Sequence, residues 1–517
     1  MNFFEWILTV AFLAAGTSLL LYGVNCYWQI YFFRRGRKFL AEQSVRADRI
    51  ESRLWKNPAG LPLVTTQIPL YNEFNVAERV LRAVASIDYP AGKHQIQVLD
   101  DSDDATRGLI DRIAAELRQE GHWIDVFRRE ERSGFKAGAL KAGLAEARGE
   151  FIAIFDGDFV PGADFLRKTL PLLVDDEGLG LVQGRWTHLN PCENLLCRAQ
   201  SIGIDGHFAI EQAARASNGF FLNFNGTAGL WRKKAILDSG DWQGDTLTED
   251  MDLSYRAQLA GWRLAFRGEA AVPAELPASF TAFKNQQFRW AKGSIQTAKK
   301  LFPRVIRSDR SWIARLQAFL HLTHYGIHPF IVAVAALSLP MLFLLPEQIG
   351  LPVRMAGAFF ILGAALGPNC LYLVSQRSLR PSGWRRQILL LPALTIVGLG
   401  ISLSNSRGVI EGLLGIKSGF VRTPKRGSKN ALRYRARGSW LVGLELFMGA
   451  YCLVAFILYA AGGAWGMSPF LLLYAAGYSY VGVGSLLDLR RPRGDEMTGA
   501  AETDGSPADL SSSRVAG

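Results

Sequence analysis

Paired cysteines are missing from this sequence. Its five cysteines, Cys26, Cys192, Cys197, Cys370 and Cys452, are scattered with no Cys-x-x-Cys spacing, so neither a zinc site nor a disulfide framework is indicated. Charge is also scarce, at 20% of 517 residues against 49% hydrophobic, and the mean hydropathy is +0.10. That balance is too apolar for a soluble enzyme and too charged for a pure membrane bundle, so the chain should hold both a soluble core and membrane spans. Internal repeats are absent, and disordered, collagen-like and coiled-coil readings are excluded. The net charge of +12 invites a nucleic-acid partner. Much of that charge, however, lies in the basic stretch 407–437 beside apolar runs, with no aromatic RNA-binding module nearby, so no nucleic acid is expected.

What is present divides the chain. Residues 6–31 are apolar except for Asn25 and Gln29, long enough to cross a bilayer, and are followed at once by Arg34, Arg35, Arg37 and Lys38. A cleavable signal peptide carries its positive charges before the apolar run, so this segment reads as a retained transmembrane anchor, 1–33. From 34 to 318 short apolar strands (63–68, 96–99, 151–155) alternate with amphipathic stretches (76–87, 109–120), which predicts an α/β domain with an open parallel sheet. Further apolar runs follow within 319–487: 321–345, 353–374, 388–403, 440–461 and 467–487. If 388–403 crossed fully, the basic loop 406–439 would lie on the side opposite to the positive-inside tendency, so segment 387–405 is expected to lie along the interface, leaving about five full spans. The tail 488–517, rich in Gly, Ser, Ala, Asp and Glu after Pro492, is expected to be disordered and cytoplasmic.

In open α/β sheets ligands bind at the carboxyl ends of the strands. Two such ends are acidic here, Asp100-Asp101 after Val98-Leu99 and Asp156-Gly157-Asp158 after 152–155. A hard divalent cation held by one or two carboxylates is what a nucleotide-diphosphate sugar needs at its leaving group, and Asp156 and Asp158 are spaced for that. A D-x-D triplet alone is more often turn chemistry.

Further motifs lie in order along the domain: Gln67-Ile-Pro-Leu-Tyr-Asn-Glu73, Leu99-Asp-Asp-Ser102, Gly134-Phe-Lys-Ala-Gly-Ala-Leu140, Thr248-Glu-Asp-Met-Asp252 and Gln286-Gln-Phe-Arg-Trp290. With the DGD strand end, this set resembles the processive, membrane-integrated branch of family 2 glycosyltransferases, the cellulose-synthase superfamily with its D, DxD, D, QxxRW signature. The strings 224–231, 249–253 and 285–293 look most like cellulose-synthase-like (gluco)mannan or glucan synthases and their bacterial relatives. The resemblance implies a GT-A (nucleotide-diphospho-sugar transferase) domain between transmembrane helices, an inverting transfer of hexose from UDP-glucose or GDP-mannose to a β-glycan, and translocation of the product. It also implies a divalent cation (Mg²⁺ or Mn²⁺), a glycan or lipid acceptor, a place in the plasma (inner) membrane with the catalytic domain cytoplasmic, and room for an accessory subunit.

Residue by residue, the resemblance gives Asp100 or Asp101 to the nucleobase, Lys136 to the diphosphate, Asp156 to the ribose and diphosphate side and to the metal, and Asp158 to the metal. Asp250 takes the part of the general base that accepts the acceptor's proton. Arg289 lies near the pyrophosphate, while Trp290 and Gln286 bound the acceptor, with Asn225 and Thr227 beside it. Asn225 stands where cellulose synthases have cysteine, which weakens a cellulose assignment. The stretch 420–427 resembles the gating loop, with Phe420, Thr423 and Lys425 in role, but Arg422 occupies the usual valine place. Two other readings stand beside this one: a single-sugar glycolipid glucosyltransferase of the diacylglycerol or ceramide type, and a catalytically silent scaffold or nucleotide sensor. His321, His324 and His328 would share a helical face, and without a carboxylate among them they read as structural rather than metal-binding.

Overall fold

The computed structural model describes residues 3–344, 351–416, 440–463, 465, 466 and 468–490, the backbone alone over 351–362. Seven strands form one sheet in the order β3-β2-β1-β4-β6-β5-β7. They are β1 (Val64–Leu70), β2 (His94–Asp100), β3 (Trp123–Phe127), β4 (Phe151–Ile154), β5 (Leu179–His188), β6 (Gly229–Arg232) and β7 (Arg263–Ala274). β1, β2, β3 and β4 run parallel, β6 is antiparallel to both β4 and β5, and β7 is parallel to β5. This is the mixed GT-A arrangement.

The parallel half is buried on both faces, yet its strands are not simply apolar. In β1 and β2 a ladder of amides and hydroxyls pairs across neighbouring strands: Thr65 Oγ1 donates to Gln95 Oε1 at 2.8 Å, Gln67 Nε2 to Gln97 Oε1 at 3.0 Å, and Gln95 Nε2 to Asp125 Oδ2 at 3.0 Å. Buried polar groups cost free energy unless bonded, so these contacts make the register specific as well as tolerable. The remaining core is conventional: Val64, Ile68, Val80, Leu81 and Phe155 pack on one face, and Leu140, Ile152, Phe224 and Trp231 on the other.

Membrane-type helices flank the sheet domain. The first runs unbroken from Phe3 to Leu54, so the break expected between 33 and 34 falls inside one helix. The reason is local: 34–54 contains no proline, and its charged side chains are good helix formers. Its C-terminal end packs into the sheet domain through Ala47 and Ile50 and is fastened by Arg46 to Asp175 (2.7 Å) and Arg167 to Glu51 (2.6 Å). By length and apolarity four helices can cross a membrane: Phe3–Leu54, His324–Leu344, Trp440–Ala461 and Ser468–Arg490. The run expected from 321 instead breaks into Trp312–Leu322, a 3₁₀ turn His324–Gly326 and Ile327–Leu344. A further long helix, Leu351–Leu379, covers the run at 353–374. The segment expected at the interface belongs to a pair, Trp384–Gly400 and Ser402–Leu414, bent by 45°, and counting it as one span would make five. The chain is a multi-pass membrane protein.

Candidate active site

The carboxyl ends of β1, β2 and β4 open into a cavity of about 1360 Å³, part of it open to solvent. Register puts them together: Leu70 lies beside Asp100, and Gln67 beside Ile154, so the segments after all three strands meet. The cavity is closed from the other side by the helix Glu249–Leu259 and by the helix Phe280–Ile306.

The acidic pair after β2 divides. Asp100 turns away from the cavity, its side chain fully buried, accepting from Arg128 Nε (2.8 Å) and from the backbone N–H of Ser102 (3.0 Å). Asp101 lines the cavity and accepts two bonds from Arg129, at 3.0 and 2.6 Å. The same loop supplies Arg132, whose guanidinium lies 3.3 Å over the Tyr71 ring. Both line the cavity.

After β4, Asp156 and Asp158 face the same space. Gly157 between them leaves room for the Glu73 carboxylate, which would have to move if a Cβ stood there. Lys136 opens the helix Phe135–Glu146, which starts from left-handed backbone at Gly134 and approaches the sheet closely where Gly143 meets Leu99. Its Nζ lies 2.5 Å from Asp156 Oδ1 and donates to Gly226 O at 2.8 Å. Burial works against its charge, but Asp156, Glu249 and Asp250 outweigh burial and hold the ammonium above its ordinary value.

Thr227 does not reach the cavity. It is fully buried, and its hydroxyl accepts the Asp156 N–H at 3.0 Å, so it positions Asp156 rather than lining the acceptor space expected of it. Asn225 does line the cavity, with its amide clamped at both ends: Gln212 Nε2 donates to its Oδ1 (2.6 Å), and its Nδ2 lies 3.0 Å from His207 Nε2. Gly226, at φ 83°, brings the backbone within van der Waals reach of Asp250, where a Cβ would stand 2.9 Å from Oδ2.

Asp250 sits in the first turn of Glu249–Leu259 beside Glu249. Burial first, then the neighbouring Glu249 charge, push it up to about 7, despite Lys136 and the Met251 N–H that bonds its Oδ1 at 2.8 Å. Glu249 is raised by the same burial. The facing wall is Phe280–Ile306, pressed so close that a Cβ on Gly293 would stand 2.6 Å from Thr248. That contact aims Gln286, Arg289 and Trp290 into the cavity, with Arg289 in the field of Glu249, Asp156, Asp250 and Asp158.

The cavity also contains residues the motifs do not reveal. Trp186 and His188 arrive from β5, after a bulge at Gly184/Arg185, and the Trp186 ring lies 6.4 Å from that of Trp290. Two tryptophans therefore flank the space, and Asp205 holds His188 at 3.1 Å. The only available signal was the apolar run of β5 ending in Trp-Thr-His. Phe420, Thr423 and Lys425 lie outside the described residues. His321 bonds Tyr255 (2.8 Å) and His328 bonds Asn405 (2.9 Å), on separate helices rather than one face, with His324 in the turn between. Among the described residues no three His, Cys, Asp or Glu side chains converge as a ready-made metal cage.

Comparison with known proteins agrees with this geometry. Residues 62–293 match the model of the glycosyltransferase like family 2. The chain is 33% identical over 487 residues to glucomannan 4-beta-mannosyltransferase 7 of Arabidopsis thaliana, covering 90% of this chain and 84% of that one. Over 256 residues it is 41% identical to glucomannan 4-beta-mannosyltransferase 1 of Oryza sativa subsp. japonica, 49% of each chain. Among solved structures, a mannosyltransferase from Pyrobaculum calidifontis in complex with GDP-Man and Mn²⁺ shares the fold at a TM-score of 0.50 and 19% identity, covering 80% of this chain and all of that one. With the D, DxD, D, QxxRW residues gathered around one cavity, the chain belongs to family 2 of the glycosyltransferases, in the cellulose-synthase superfamily, and is a glycosyltransferase.

Proposed function

We propose that the protein extends a β-linked mannan or glucomannan, transferring mannose from GDP-mannose with inversion at the anomeric carbon. The observation that carries this is the convergence of Asp101, Asp156, Asp158, Asp250, Arg289 and Trp290 on one cavity, in a chain similar along most of its length to glucomannan mannosyltransferases. In this reading the nucleotide end lies over Asp101 and Tyr71, the diphosphate between Lys136 and Arg289, and the acceptor sugar against Trp290 and Trp186.

Asp250 takes the proton of the acceptor hydroxyl as that oxygen forms its bond to the anomeric carbon. The bond to the diphosphate oxygen breaks on the opposite face, and its electron pair leaves with GDP, so no second carboxylate is needed as nucleophile. A base poised near neutrality suits this step, and burial beside Glu249 supplies that poise. The all-oxygen pair Asp156 and Asp158 fits a hard divalent cation, which takes one or two protein carboxylates and completes its shell from substrate phosphates. When bound, such an ion supplies neutralisation of the departing diphosphate. Lys136 and Arg289 add fixed positive charge at the same place.

Passage of the product through the membrane helices belongs to the same proposal, with the catalytic domain on the cytoplasmic side of the plasma membrane. Polar and aromatic groups continue from the cavity toward those helices: His207 and Glu211 keep 27% and 30% side-chain exposure deep in the structure, and Tyr325 bonds Gln287. The test is to supply the protein in lipid nanodiscs with labelled GDP-mannose or UDP-glucose, each with Mg²⁺ or Mn²⁺, and to size the product. A large, β-mannanase-sensitive polymer from GDP-mannose is expected. A product formed only from UDP-glucose would overturn the donor, and a small solvent-extractable product would make the protein a glycolipid enzyme.

A further inference from the structure

The helix Phe280–Ile306 has two faces. At about 100° per residue, Gln286, Arg289, Trp290 and Gly293 centre about 150° away from Lys284, Phe288 and Lys292. The first face lines the cavity or abuts Thr248. The second carries two buried cations, placed two residues before and two residues after the Gln286–Trp290 motif.

Each cation meets a carboxylate from the membrane region. Lys284 Nζ donates to both oxygens of Glu445 at 2.9 Å, and the Glu445 side chain, on Trp440–Ala461, is wholly buried. Lys292 Nζ, itself wholly buried, donates to Glu411 Oε2 at 2.8 Å, on Ser402–Leu414. Arg407 closes on the other oxygen of Glu411 at 2.7 Å, and the Phe288 ring lies under both cations, 5.4 Å from Arg407 and 5.8 Å from Lys292. The backbones are nearly in contact: a Cβ on Gly408 would stand 2.9 Å from Phe288 O, and one on Gly412 3.0 Å from Lys292 O.

Desolvating such charges consumes most of what their pairing returns, so the pairs are weak evidence for stability and stronger evidence for a fixed geometry. One pair would let the helix pivot. Two pairs eight residues apart, about 12 Å along the axis, fix both its rotation and its tilt. We infer that Lys284–Glu445 and Lys292–Glu411 are positioning pairs that hold the Gln286–Trp290 face against the acceptor, so that two membrane-region helices set the geometry of the catalytic cavity. None of the four side chains lines the cavity, and each acts through the helix.

This rests on Gln286–Trp290 being the acceptor wall, and the test separates the two. In nanodiscs, Lys284→Met with Glu445→Met removes both charges of that pair while keeping apolar volume. It is expected to raise the acceptor KM about tenfold with little change in kcat, and to weaken GDP binding, which this helix meets only through Arg289, by no more than about threefold. The swapped pair, Lys284→Glu with Glu445→Lys, is expected to return the KM to within about threefold of the parent. An unchanged KM in the methionine pair, or a folded swap as impaired as that pair, overturns the inference. Hydrogen exchange needs no substrate. Glu411→Gln is expected to speed exchange at 286–290 and leave the sheet unchanged, and identical exchange there overturns the inference whatever the donor proves to be.

Discussion

The two ends of the cavity are built on different principles. The end proposed for the nucleotide sugar is made of strand termini, and its contacts are local to the sheet domain: Arg129 on Asp101, Lys136 on Asp156, Thr227 beneath Asp156. The end proposed for the acceptor is one helix whose back leans on charges 119 and 161 residues further along the chain. Sheet register therefore places the first end, Arg289 excepted, whereas the second needs the membrane region assembled. Changes in the membrane helices should reach the acceptor first, and the nucleotide only through Arg289.

The largest effect is expected where the two ends meet. Asp250→Asn should lower kcat by about 10²–10⁴-fold, the span of general base catalysis, with GDP affinity unchanged by calorimetry. A comparable loss of GDP affinity would place Asp250 in the nucleotide site and blur the division. Asp158→Ala should act on the strand-end side alone, weakening Mn²⁺-dependent GDP binding on the order of a hundredfold, since even outer-shell partners of metals cost 10–100-fold. Trp290→Ala should do the converse, raising the acceptor KM about tenfold, or about 1.4 kcal/mol, while hydrolysis of donor to water persists. Equal loss of both activities would remove Trp290 from the acceptor side.

The smallest effect is a pH profile. Asp250 acts as a base only when deprotonated, and with its value at about 7 the deprotonated fraction rises from about a quarter at pH 6.5 to about three quarters at pH 7.5. At saturating donor and acceptor, kcat should rise several-fold over that interval, and a flat profile would assign the proton elsewhere.

Much of the strand-end half was legible in the sequence, because each chemical motif directly follows a short apolar strand whose carboxyl end must face the ligand. What the sequence left open there was which of Asp100 and Asp101 faces inward, a matter settled by Arg128 and Arg129 drawing them to different sides. The helical half was legible in its motif and not in its support. Lys292 and Glu411 carry no local signal of pairing, and Trp186 and His188 reach the cavity only through a bulge against β7. Residues 388–403 are apolar enough for a span, but the 45° bend before Ser402–Leu414 depends on packing against Phe280–Ile306.

The helix Phe3–Leu54 makes the enzyme a ruler as well as a catalyst. Its 52 residues measure about 78 Å, of which a bilayer core takes about 30 Å, and the far end is bolted to the sheet domain by Arg46, Ala47, Ile50 and Glu51. With no joint between, the distance from the apolar segment to the Arg46–Glu51 anchor is set by counting residues, and their relative bearing by helical phase. One inserted residue in the stretch between them would shift the anchor by about 1.5 Å and turn it by about 100° relative to the apolar segment, so distance and heading cannot be tuned separately except in whole turns.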